Sequence, residues 1–132
     1  MAAGYSGTPQ AKKLGLKPGQ RVSIDNAPAG WSLTDPPEDL EYVEPGSPAD
    51  VVLAFFHSAE DLSQRLPALV DSIFPAGGLW IAWPRRAAGH VSDLTDNGVR
   101  EQALALGVVD VKIAAIDEDW SGQRVVWRKV NR

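Results

Sequence analysis

Two adjacent arginines, Arg85 and Arg86, stand directly after the apolar run LWIAWP, and His57 and Ser58 directly after a second such run, VVLAFF. A guanidinium is a fixed fork of donors that matches a carboxylate or phosphate, and the free amides of a nearby helix start add to the attraction for an anion. Asp25 ends a third run, RVSID, and Asn26 follows it, while Asp93 and His90 sit in the polar stretch after the arginines. An imidazole near its reference pKa of ~6.5 can act as a base, but no nucleophile is identifiable beside His57. Ser58, three positions before Asp61, suits a helix cap, and Ser92, Asp93 or Thr95 suits another. This chemistry favours non-catalytic binding of a small anion over bond making. The candidate cleft residues are Asp25, Asn26, His57, Ser58, Trp83, Arg85, Arg86 and Asp93.

These side chains require a scaffold that gathers the ends of several strands. DVVLAFF and LWIAWP are continuous apolar runs, as expected of strands covered on both faces of a parallel sheet. Trp80 and Trp83, three apart in one strand, should point to opposite faces. RVSID reads as the first strand and LEYVEP as a second, with Pro28, Pro36 and Pro37 precluding a long helix between them. Leu62, Leu66, Leu69, Val70 and Ile73 recur at helical spacing and predict a helix over 59–74, kinked or split at Pro67. A further helix is expected over 93–106, where Arg100 is spaced to pair with Asp96. VVDVKIAAID and QRVVWRKV complete the chain as an antiparallel hairpin. Thr8-Pro9 followed by QAKKLGL predicts a short helix in an N-terminal arm. The domain reading is thus an arm over 1–19 and one three-layer Rossmann-like α/β domain over 20–132, with a mainly parallel sheet.

Composition narrows the function further. The 132 residues suit one core. There is no cysteine, and the two histidines lack metal-ligand spacing, so disulfides, thiolate chemistry and a metal centre are not expected. The net charge is -4. Its four N-terminal cations, Lys12, Lys13, Lys17 and Arg21, precede an acidic stretch over 25–61 against which they are expected to pack. Nucleic-acid binding needs a coherent basic face, and no apolar run approaches the roughly 20 residues that span a bilayer. A cytoplasmic protein is the default in the absence of a signal-peptide pattern.

The order of elements around LPALVDSIFPAGGLWIAWP resembles the second half of a class I S-adenosylmethionine methyltransferase over roughly residues 20–130. The resemblance implies a cofactor held by Asp25 and Gly30 after the first strand and by Glu44 after the second, and hence methyl transfer as the alternative function. The loop IDNAPAGW departs from the glycine-rich loop of that family, with Gly30 as its one glycine. A closer likeness lies in GYSGTPQAKKLGLKPGQRV, NAPAGW, GGLWIAWPRRA, SDLTDNGVRE and VDVKIAAIDEDWSG, which resemble the bacterial family known as domain of unknown function 3052. That family carries no established activity. A homodimeric structural subunit, joined through the hairpin or the arm, is the remaining expectation, and a protein partner is an alternative occupant of the cleft.

Overall fold

The computed structural model describes residues 9–86 and 89–132; Thr8, the expected first helix cap, lies outside them. Helix α1 (Gln10–Leu14) ends at Gly15, whose φ of 76° is the left-handed stop a glycine permits. Strands β1 (Arg21–Asp25), β2 (Glu41–Tyr42), β3 (Val51–Phe55) and β4 (Gly78–Pro84) run parallel. Helix α2 (Ala59–Ser72) connects β3 to β4, and α3 (Asp96–Ala105) connects β4 to the antiparallel hairpin of β5 (Val108–Ala115) and β6 (Trp120–Trp127). One six-stranded sheet results, in the order β2-β1-β3-β4-β6-β5. Successive strands step outward in opposite directions from β1, which places a topological switch between β1 and β3.

Alternation along β3 separates two cores. Val52 and Ala54 face α2 and α3 together with Leu79, Ile81 and Trp83 of β4. Val51, Leu53 and Phe55 face the other way, with Trp80 and Ala82, as the opposite orientation of the two tryptophans requires. The second face is covered thinly, by α1 and by Ala27, Trp31, Leu33 and Leu40 of the proline-containing segment between β1 and β2. Leu14 and Leu16 bury the N-terminal segment there, and the Trp80 indole donates to the Leu14 carbonyl at 3.0 Å.

Three local expectations are corrected. Helix α2 passes through Pro67 without splitting, because Pro67 and Ser63, whose carbonyl loses its donor, both lie on the exposed side. Strand β2 is only two residues long, and both are exposed at the sheet edge. Arg100 pairs with Asp110 of β5 at 3.2 Å rather than with Asp96. The N-terminal cations also divide: Arg21 meets Glu41 at 3.9 Å, whereas Lys13 turns to the hairpin and donates to the Ala115 carbonyl at 2.9 Å. At the far edge, the pairing of β5 with β6 slips between Asp110 and Lys112, so that Val111 is an extra, half-exposed residue in a bulge. Among the described residues, no helix is long and apolar enough to cross a membrane.

Candidate functional site

In an open parallel sheet, ligands settle beyond the strand carboxyl ends at a topological switch. Here the switch carries Asp25 and Asn26 from β1 and the Phe55 carbonyl from β3. Ser23 and Asp25 alternate with the core residues Val22 and Ile24 and therefore face α2. Arg65 of α2 reaches this point and fills it. Its guanidinium bonds Asp25 at 2.5 Å, Asp61 at 2.7 Å and the Phe55 carbonyl at 3.0 Å, and it lies 4.3 Å above the Phe56 ring. Side-chain exposures of 25% for Arg65 and 19% for Asp25 place this pair in partial shelter, where a charge-assisted bond is strong. Asn26 takes a left-handed φ of 58°, which asparagine tolerates, and aims its side-chain amide at the same Phe55 carbonyl.

The loop after β1 then folds against the opposite face of the sheet. Trp31 packs edge-on to Phe55 at 5.0 Å, Phe55 packs edge-on to Trp120 at 4.9 Å, and the Trp31 indole donates to Asp117 at 2.9 Å. Gly30 has a φ of 77° with open space around its α-carbon, so it serves the turn closed by Trp31 N–H on the Pro28 carbonyl. Glu44 lies two residues beyond β2, exposed in a turn.

The other candidates separate into distinct roles. Ser58 caps α2 through the Asp61 amide at 3.1 Å, and Asp93 accepts from the Ala59 amide at 2.9 Å, so the chain's own oxygens occupy this helix start. Asp61 completes no capping box, since its carboxylate binds Arg65. His57 is exposed, its ring edge-on to Trp120, and its carbonyl accepts from Ser92. His90 bonds Asp119 at 3.0 Å. Among the described residues, no three potential metal-ligating side chains converge.

Trp83, Arg85 and Arg86 do come together, in a cleft of about 360 Å³ between the end of β4, the start of α3 and the hairpin. Leu94, Thr95, Asp96, Ile113 and Ser121 complete its wall. Arg85 directs its guanidinium to the Asp117 and Glu118 carbonyls. Arg86 is exposed, and among the described residues its side chain forms no hydrogen bond or ion pair. Thr95 caps α3 through the Gly98 amide. Behind the cleft, Gln123 is fully buried; it donates to the Asp96 carbonyl at 3.2 Å, while its side-chain oxygen has no partner. Sequence reasoning missed Arg65, whose spacing to Asp61 was the one available signal, and the contribution of Ile113 and Ser121, which depends on how the hairpin folds back.

A sheet with this order, helices α2 and α3 on one face and a terminal antiparallel hairpin define a Rossmann-like domain with a methyltransferase-like core. Among solved structures, magnesium protoporphyrin IX methyltransferase from Synechocystis with bound SAM superposes with a TM-score of 0.59 at 10% identity, over 84% of this chain and 71% of that one. A SAM-dependent methyltransferase from Aquifex aeolicus gives 0.52 at 13% identity, covering 86% and 85%. A protein of the NADB-Rossmann superfamily from Streptococcus agalactiae gives 0.53 at 10% identity, covering 96% and 70%. At such identities the likeness is one of fold. No protein-family profile and no curated protein matches the chain, so the resemblance to family 3052 rests on the sequence blocks alone.

Proposed function

We propose that this protein is a non-catalytic, Rossmann-like binding module that holds a small anionic ligand in the cleft between β4, α3 and the hairpin. The observation that carries the reading is the Arg65 plug. A cofactor entering at the β1/β3 switch would have to displace a guanidinium already satisfied by two carboxylates and a carbonyl, which costs several charge-assisted bonds at once. An open concavity at the strand carboxyl ends lies instead beside Arg86, whose charge is unspent among the described residues. Membership of the bacterial family 3052 and a cytoplasmic setting belong to the same proposal.

A thermal-shift series with acetate, phosphate and chloride, run on the wild type and on Arg86→Ala, tests it. Saturable stabilisation by an anion that disappears in the variant is the expected result; equal shifts in both proteins would remove the reading. The second reading is a S-adenosylmethionine-dependent methyltransferase with Asp25, Gly30 and Glu44 toward the cofactor. It draws support from the fold it shares with the SAM-bound Synechocystis enzyme. Calorimetry with S-adenosylmethionine separates the two, since micromolar affinity that is lost in Asp25→Ala would favour the enzyme.

A further inference from the structure

We infer that the cleft between β4, α3 and the hairpin selects an amphipathic monocarboxylate, a single carboxylate joined to a flat or branched apolar body. The inference rests on the anion-binding reading and adds the character of the ligand. Three features of the wall carry it. The floor is apolar: Trp83 and Leu94 are nearly buried, whereas Ile113 on the hairpin side is 51% exposed. An isoleucine left half-bare on a concave wall gains most from an apolar body laid against it.

Charge is the second feature. Arg86 supplies the available guanidinium at the rim, because Arg85 is engaged with the hairpin carbonyls. Asp96 faces the same space from the first turn of α3. One negative charge can pair with Arg86 while keeping clear of Asp96, but a doubly charged phosphate meets like-charge repulsion across a small cleft. Finally, the cleft is preformed. Gln123 fastens the Asp96 carbonyl to β6, and Thr95 closes the first turn of α3, so binding needs little ordering of the wall.

Calorimetry with 3-phenylpropionate, its neutral amide, acetate and inorganic phosphate tests the inference. The aryl carboxylate should bind saturably and about tenfold or more tighter than each of the other three. Arg86→Gln should remove most of its affinity, and Ile113→Ser should weaken it about fivefold, with the wild-type melting temperature nearly kept in both. If acetate or phosphate binds as well as 3-phenylpropionate and is lost in Arg86→Gln, the amphipathic preference is wrong and the anion reading survives. Equal binding of acid and amide, or no binding of any anion, overturns both.

Discussion

Arg65 ties the first turns of α2 and the neighbouring end of β3 to the end of β1, which is distant in sequence. Its loss should therefore be felt beyond one ion pair. Arg65→Gln is expected to destabilise the fold by about 2 kcal/mol, read as a lowered urea midpoint, because it leaves Asp25 partly sheltered and uncompensated. An unchanged midpoint would mean that water satisfies Asp25 equally well. Ser23 presents the opposite case. Its hydroxyl is fully buried beneath α2 without a hydrogen-bond partner. Ser23→Ala should be neutral or stabilising by up to about 1 kcal/mol in the same assay, since it removes an unsatisfied polar group without opening a large cavity. The sequence exposed Asp25 as a chemically interesting residue at a strand exit. It could not reveal the partner, because Arg65 lies forty residues later on an element whose rotation is set by packing.

At the scale of elements, periodicity was a good guide where apolar stripes are long. Leu62, Leu66, Leu69 and Val70 of α2 and Ile73 just beyond it are all buried as predicted, and the run VVLAFF is a fully covered strand with its following residue. Boundaries depended on single hydrogen bonds: α3 begins after Thr95, which left Asp93 to serve α2 instead. Thr95→Ala should lower stability by about 1 kcal/mol in chemical unfolding, the usual worth of a cap. The docking of α1 on the hairpin offers a pH-dependent test. Burial, then Lys112, then Arg85 hold the Lys13 ammonium below its ordinary value of 10.5. The unfolded chain thus keeps this proton to higher pH than the folded one, and stability should rise with pH from the lowered folded value up to 10.5. Urea midpoints measured across that alkaline range should climb less steeply in Lys13→Met than in the wild type; parallel curves would dismiss the account.

For the molecule as a whole, alternating strands and helices made the parallel sheet and the closing hairpin legible from the sequence. The covering of its second face was not, because an irregular segment with three prolines has no period to read and finds its place only against Phe55 and Trp120. The sheet's centre and its short edge should differ in native-state hydrogen exchange. Amides of β3 and β4, paired on both sides, are expected to exchange at the global unfolding limit, and those of β2 orders of magnitude faster. Uniform protection across the sheet would show that the short edge strand is as firmly held as the centre.

The displaced residue at Val111 bears on how the protein behaves in a crowded solution. An incoming chain that tried to extend the sheet beyond β5 would find its ladder of amides and carbonyls thrown out of step midway along, beside the charged Lys112. The longest free margin of the molecule is thereby a poor template for stacking copies into fibres. Straightening it by deleting Val111 would trade that safeguard for a tendency to clump.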